Sequence, residues 1–156
     1  MDQQASVLAI TAGPHSHCTE PQQFVVPGSR DEVYEKFVQF FWIQGGGLGR
    51  PQVVAAGESP SYQGSTRMAG PIKEHIFRAQ FAQELQYTIL SVFPVSTYKA
   101  IITFEEAEGG STKISWRAEF TPLIPFTGGL VKYFIETQVF AKVLRGFQSK
   151  LQKSKL

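Results

Sequence analysis

The sequence has little cysteine, little net charge and no long apolar run, and each shortage excludes a class of protein. Cys18 is the only cysteine in 156 residues, so an internal disulfide is impossible, which weakly favours a reducing compartment. No apolar run approaches the roughly 20 residues of a transmembrane helix. The N-terminus also lacks the basic start and long apolar stretch of a signal peptide. We expect a cytoplasmic protein without stable membrane insertion.

Charge of either sign is scarce. Fifteen Lys and Arg against thirteen Asp and Glu leave a net charge of +2, which is too small to indicate binding to nucleic acid or to an anionic membrane. The densest basic run, Lys150, Lys153 and Lys155, lies near the end of a predicted helix, where cations interact favourably with the helix dipole. We predict no nucleic-acid partner, and the sequence leaves the oligomeric state open.

Motifs for cofactor, metal or nucleophilic chemistry are also missing. The glycine run at 45–49 lacks the Lys-Ser/Thr of a phosphate loop, and Arg50 replaces the last glycine of a dinucleotide fingerprint. A flexible loop that gates a pocket explains the run better. His15, His17 and Cys18 have metal-binding side chains but lack a fourth ligand for a zinc site. We predict no metal and no cofactor.

What is present fits one domain. The chain is 42% hydrophobic and 18% charged, as in ordinary globular proteins. We expect residues 1–16 to form a flexible N-terminal arm and residues 17–156 a single domain. A strand is predicted over 17–26, with Pro21 at an edge or bulge. Ser29 and Glu32 form a capping-box pair that starts a helix, and the glycine run ends that helix near Ile43.

The second half alternates strand signals with turns. Strands are predicted at about 51–57, 65–69, 72–79, 83–92, 98–106 and 112–121. The last of these alternates strictly, which indicates one packed and one solvated face. Its predicted inward residues are Ile114, Trp116, Ala118 and Phe120. A terminal helix begins near Thr127 and carries an apolar stripe: Ile135, Val139, Phe140, Val143, Leu144, Phe147 and Leu151.

The widths of the predicted sheet and of the terminal helix predict a hollow between them. Six or seven strands at about 4.8 Å spacing span roughly 30 Å, whereas one helix is only about 10–12 Å across. The sheet must therefore curl around the terminal helix, which leaves space that side chains or a ligand fill.

The order of elements resembles the START-like, or SRPBCC, helix-grip superfamily, and within it the polyketide cyclase/dehydrase and lipid-transport branch. The resemblance spans about 17–155 and is carried by VVPGSRDEVYEKF (25–37), GSTRMAGPIKEHI (64–76), Tyr87 in LQYTI, and GGSTKISWRAEFTP (109–122). It implies an α+β helix-grip fold: a curved antiparallel sheet wrapped around a long C-terminal helix, with an internal cavity. Family members often have a second short helix after the first one, where this chain has its glycine run.

Glu74 and Arg67 are the most informative charged residues. If Ile72 and Ile76 face inward, Glu74 does too, and a carboxylate in an apolar cavity is a candidate general acid or base. Arg67 would then bind an anionic or carbonyl group. The alternative is a structural ion pair between Glu74 and Arg67 across the intervening turn, or a register that exposes Glu74.

The remaining candidates line the predicted hollow. Tyr87 and Tyr98 carry hydroxyls on an apolar face, where they orient a ligand or bond to the backbone; with Glu74 they are the candidate catalytic residues. The predicted ligand-binding residues are Arg67, Leu85, Ile89, Ile102, Phe104, Trp116, Phe120, Val139, Val143 and Phe147.

Three functions remain open from the sequence. The first is binding of a hydrophobic small molecule, such as a lipid, polyketide or aromatic metabolite, between sheet and terminal helix. The second is a cofactor-independent cyclase, dehydratase or isomerase acting on such a ligand, in which Glu74, Tyr87 or Tyr98 moves protons. The third is a protein-interaction module with a collapsed cavity.

Overall fold

The computed structural model describes residues 16–90 and 95–153, and over these ranges eight strands form one antiparallel sheet. The strands are β1 His17–Cys18, β2 Gln22–Pro27, β3 Gln52–Ala55, β4 Thr66–Ala69, β5 Ile72–Gln80, β6 Glu84–Ile89, β7 Val95–Ala107 and β8 Ser111–Pro122. The helices are α1 Arg30–Val38, which continues as a π-helical segment Gln39–Ile43, and α2 Gly128–Phe134, which continues through a π-helical segment Ile135–Phe140 into α3 Ala141–Lys153.

The sheet is open and follows the order β1-β8-β7-β6-β5-β4-β3, with β2 also paired to β8. The strand predicted over 17–26 is therefore two strands on one edge rather than one. The break falls where Pro21 lacks a backbone donor. Thr19 bridges the break, because its backbone N–H donates to Ala118 O at 2.8 Å and its Oγ1 accepts from Ala118 N at 2.9 Å.

The first helix begins where the capping signal predicts. Ser29 Oγ accepts a hydrogen bond from the backbone N–H of Glu32 at 3.3 Å, which satisfies one of the free donors of the first turn. The inward residues Val33, Tyr34 and Phe37 are buried. The helix widens to π geometry in its last five residues and ends at Ile43, as the glycine run predicts.

The glycine run forms a tight turn. No helix lies between Ile43 and β3 in this described stretch, so the short second helix that the resemblance implies is absent here. Gly45 has φ +96°, and a Cβ on it would collide with the carbonyl oxygen of Gly49. A Cβ on Gly46 would lie 3.0 Å from Val143 Cγ1 of α3, so the turn packs closely on the terminal helix. A gating role for this turn stays a prediction.

The β7–β8 hairpin supplies most of the inner face. Ile114, Trp116, Ala118 and Phe120 are all fully buried, and the residues between them are partly exposed, so the predicted alternation is confirmed. On β5 the predicted alternation stops early. A bulge between Ile76 and Arg78 leaves Ile76 and Phe77 both buried and turns Arg78 outward, so Arg78 does not share the inward face of Glu74.

The terminal helix covers this inner face, and the α+β helix-on-sheet architecture is confirmed. Trp116 of β8 stacks on Phe140 with ring centroids 4.3 Å apart, and Phe37 of α1 meets Phe147 of α3 edge-on at 5.2 Å. Both helices therefore pack on the same aromatic layer. The predicted stripe is buried from Ile135 to Leu151, with Val139 partly exposed.

The surface before and along α2 is unusually apolar. Phe126, with φ +68°, is fully exposed. The other large exposed apolar side chains of this stretch are Leu123, Ile124, Leu130, Tyr133 and Phe134. Of the predicted N-terminal arm, all residues but Ser16 lie outside the described ranges.

Candidate functional site

Arg67 and Glu74 form a buried ion pair. The tight turn between β4 and β5 places the two residues directly opposite each other. Arg67 Nε donates to Glu74 Oε1 at 3.0 Å, with side chains only 5% and 10% exposed. From the sequence alone, an inward Glu74 carboxylate and a Glu74–Arg67 ion pair are alternatives. In the structure both are present, because the carboxylate is buried and paired. The register that would expose Glu74 is wrong.

The end of the first helix holds Arg67 in place. Arg67 Nη1 donates to the carbonyl oxygens of Phe41 and Trp42 at 2.7 and 2.9 Å. The C-terminal end of a helix carries the negative end of the helix dipole, so a cation there is favourable. The Phe41 carbonyl also accepts from Gly45 N at 3.1 Å, and Arg67 uses its remaining acceptor capacity. The guanidinium also lies over the rings of Phe41 and Trp42, at 4.5 and 4.4 Å from their centroids.

Burial dominates the electrostatics of Glu74. Loss of solvent raises the pKa of the Glu74 carboxyl above its ordinary value of 4.5, and the Arg67 charge and hydrogen bond oppose that rise without cancelling it. A carboxyl with a raised pKa exchanges its proton more readily near neutral pH.

Tyr87 and Tyr98 form a buried hydroxyl pair beside this ion pair. They lie on β6 and β7, are 2% and 6% exposed, and have ring centroids 6.0 Å apart. Their side chains hydrogen-bond to each other. Burial raises the pKa of both hydroxyls, and the nearby Glu74 charge raises them further. Both groups therefore keep their protons and act as hydrogen-bond donors at neutral pH.

Trp116 lies on the inner face of β8, and its side chain carries an unpaired hydrogen-bond donor. It is fully buried, and its indole Nε1 finds no hydrogen-bond acceptor among the described residues. Its ring is 4.6 Å from Phe41 and 6.5 Å from Tyr87. Trp42, in contrast, donates from Nε1 to Ser65 Oγ at 2.8 Å.

The other predicted ligand-binding residues join one apolar cluster around these groups. Ile89 and Val139 are partly buried at its margin, and the rest are buried within it: Leu85, Ile102, Phe104, Phe120, Val143 and Phe147. The structure thus brings the predicted wall together on one face.

The histidines and the cysteine lie elsewhere. His75 points away from Glu74 on β5, and its Nδ1 is 2.8 Å from Thr66 Oγ1. His17 stacks on Phe120 at 5.6 Å, and Cys18 is exposed. His15 lies outside the described residues, within which no three potential metal ligands come together.

The sequence did not reveal what Phe41 and Trp42 do. Their carbonyls and rings together hold Arg67. A signal was present: two aromatic residues end a helix directly before a glycine run, and such a helix end exposes carbonyls that an arginine can satisfy.

A comparison with known proteins places this arrangement. The sequence model of the family described as polyketide cyclase/dehydrase and lipid transport matches residues 34–153. The chain belongs to this family. Within the described ranges, none of the helices is both long enough and apolar enough to span a bilayer. A search of the curated proteins found no match.

Solved structures agree with the family. A Thermobifida fusca protein solved by NMR has a TM-score of 0.69 at 18% identity, over 87% of this chain and 93% of that one. The crystal structure of Ara h 8.0201 has a TM-score of 0.66 at 12% sequence identity, over 88% of this chain and 99% of that one. Norcoclaurine synthase from Thalictrum flavum, in complex with dopamine and hydroxybenzaldehyde, has a TM-score of 0.65 at 12% sequence identity, over 88% of this chain and 87% of that one. At these identities the likeness shows the fold, which is the START-like helix-grip fold.

Proposed function

We propose that this protein binds a hydrophobic small molecule between the inner face of its sheet and the terminal helix. The carrying observation is the Tyr87–Tyr98 hydroxyl pair, buried in an interior otherwise walled by aromatic and aliphatic side chains. Ligand sites combine such apolar walls with a few converging polar groups that orient the ligand. Family membership supports the same function.

Each part of the site then has a role. Tyr87 and Tyr98 orient a polar atom of the ligand, and the apolar cluster supplies contact area. We give Arg67 a positioning role, because its charge is neutralised by Glu74 and its Nη1 is engaged by two carbonyls. It fixes the carboxylate relative to the tyrosines rather than competing for the ligand.

Binding of N-phenyl-1-naphthylamine, a neutral apolar dye, tests the proposal. Its fluorescence should rise saturably on addition of protein. Ala118→Leu, which enlarges a fully buried inward residue of β8, should weaken binding about tenfold or more, because overpacking an interior typically costs ~1–3 kcal/mol.

Two control variants locate the dye. Ser115→Leu adds the same side chain to the outer face of β8 and should leave the affinity unchanged. Phe126→Ser tests adsorption to the exposed apolar surface and should also have no effect. A dye whose affinity follows Phe126→Ser and ignores Ala118→Leu binds the surface, and would exclude the interior site.

A second candidate function, cofactor-independent proton transfer, is favoured by one observation. The raised pKa of Glu74 and its electrostatic influence on both tyrosines place a base beside two hydroxyl donors. That combination suits a cyclase, dehydratase or isomerase step that removes a proton next to a carbonyl while a hydroxyl bonds to the oxygen.

Deuterium exchange into the methyl group of 2-acetonaphthone, followed by proton NMR, tests this step. Wild-type protein should accelerate exchange, and Glu74→Gln should remove roughly 10²–10⁴-fold of that acceleration while the ketone still binds. Thermal unfolding checks that the variant is folded. Equal exchange rates for wild type and Glu74→Gln would exclude Glu74 as the base.

A further inference from the structure

The indole N–H of Trp116 is a buried donor that the protein leaves without a partner. It is the one buried side-chain nitrogen or oxygen of the described residues in this condition. Leaving such a group unpaired is unfavourable, because it loses its hydrogen bond to water without gaining another. The same chain gives Trp42, equally buried, an acceptor on Ser65. An unpaired donor on the inner face therefore calls for a reason other than packing.

We propose that Trp116 is a specificity-determining residue, whose Nε1–H binds an acceptor oxygen of a neutral aromatic carbonyl ligand. The inference rests on the proposed function and deepens it. It names the group that reads the ligand and the chemical class that the group selects.

Position supports this role. The Trp116 ring lies 6.5 Å from Tyr87, which in turn lies 6.0 Å from Tyr98. The unpaired indole donor and the tyrosine hydroxyls thus share one part of the inner face. The two tyrosine hydroxyls hydrogen-bond to each other, whereas the indole N–H has no acceptor among the described residues.

Charge favours a neutral ligand. Arg67 is the one cationic side chain among the buried described residues, and Glu74 neutralises it at 3.0 Å. A carboxylate ligand would enter the same low-dielectric region as Glu74 without an unpaired cation to balance it. Burying a charge without a partner is unfavourable, so the site should reject anions that have the same shape as a neutral ligand.

The surrounding rings favour an aromatic ligand. Trp116 stacks on Phe140 at an interplanar angle of 20° and meets Phe41 at 69°. Stacked and edge-on contacts are the arrangements that aromatic pairs prefer. A flat ligand in this layer makes the same contacts while its oxygen reaches the indole N–H.

The two tryptophans provide an internal test by NMR. In the ¹⁵N-labelled protein each indole N–H gives its own signal, and Trp116→Phe assigns them. On addition of 2-acetonaphthone, the Trp116 signal should move downfield as it gains a hydrogen bond, more than the Trp42 signal, which already has one. With 2-ethylnaphthalene, which lacks the oxygen, this downfield shift should be absent.

Affinities give a second, independent readout. Wild type should bind 2-acetonaphthone about 3–10-fold more tightly than 2-ethylnaphthalene, the value of one net hydrogen bond. It should bind 2-naphthoate more weakly than the ketone. Trp116→Phe should remove the preference for the ketone by weakening ketone binding alone.

The outcomes separate the two proposals. If both neutral naphthalenes bind equally and the Trp116 signal behaves alike with each, the role of Trp116 is overturned while interior binding stands. If 2-naphthoate binds most tightly, the selection of neutral ligands is overturned. If none of the three binds, the proposed function fails and this inference fails with it. The wild-type measurements decide these points even if Trp116→Phe does not fold.

Discussion

The two ends of the inner face treat buried polar groups in opposite ways. At the β4–β5 end, Arg67 is surrounded by a carboxylate, two carbonyl oxygens and two aromatic rings. At the β8 end, Trp116 is equally buried and has no partner for its N–H among the described residues. One end is closed to new partners, and the other is open to them.

This difference suggests that the satisfied polar groups stabilise the fold and that the unsatisfied one is available to a ligand. Polar groups that are already satisfied lose interactions if a ligand approaches, whereas an unsatisfied group gains one. We therefore place the ligand's polar atom near Trp116 and the tyrosines. Arg67 and Glu74 form the support behind them, with Glu74 still near enough to act on the tyrosines electrostatically.

The largest effect should come from breaking the closed end. Arg67→Met leaves the Glu74 carboxylate and two helix-end carbonyls buried without their cation. We expect a loss of about 3–5 kcal/mol in the free energy of unfolding, measured by urea denaturation. The matched control is Arg78→Met, whose pair with Glu84 is more than half exposed on the arginine side and should matter by less than about 1 kcal/mol. Similar losses in both variants would contradict a special role for the Arg67 cluster.

A smaller effect should appear in the pH dependence of stability. Because the folded pKa of Glu74 is raised above 4.5, the native state holds this proton more tightly than the unfolded state does. Stability should therefore fall as pH rises from about that value through the folded pKa. Glu74→Gln should remove up to ~1.4 kcal/mol per pH unit of this slope. Urea denaturation across the acidic range measures it, and a variant profile parallel to wild type would contradict the raised pKa.

The smallest effect compares two identical substitutions. Trp42→Phe removes a hydrogen bond to Ser65 and a ring beneath Arg67, whereas Trp116→Phe removes no hydrogen bond within the protein. Both lose similar volume from fully buried sites. We expect Trp42→Phe to cost about 1 kcal/mol more in unfolding free energy. An equal or larger cost for Trp116→Phe would show that Trp116 is satisfied in the folded protein after all.

Much of the fold was readable because burial imposes a period on the sequence. Strict alternation over β8 identified Trp116 and its inward neighbours, and the short turn between β4 and β5 placed Arg67 opposite Glu74. Both are local patterns in which side-chain direction follows from spacing. The capping pair at Ser29 is local in the same sense.

What the sequence could not supply depends on contacts between distant segments. The carbonyls that hold Arg67 lie 25 and 26 residues away, at the end of a helix. The lack of an acceptor for the Trp116 N–H depends on all the side chains that pack around it, which come from distant parts of the sequence. The bulge after Ile76, which ends the alternation that a regular strand would continue to Arg78, likewise leaves no clear mark in the sequence.

The π-helical segment Ile135–Phe140 determines how the terminal helix is oriented along its length. An α-helix turns 100° per residue, so one running back from Phe140 would carry Tyr133, seven residues earlier, on its covered side. Tyr133 is instead 62% exposed, and Ile135 is buried. The wider turn works as a rotational offset of about one residue. It lets the second half of the continuous helix cover the sheet while the first half presents aromatic side chains to the surroundings. If the same residues formed a regular α-helix, with none deleted, Tyr133 would turn inward.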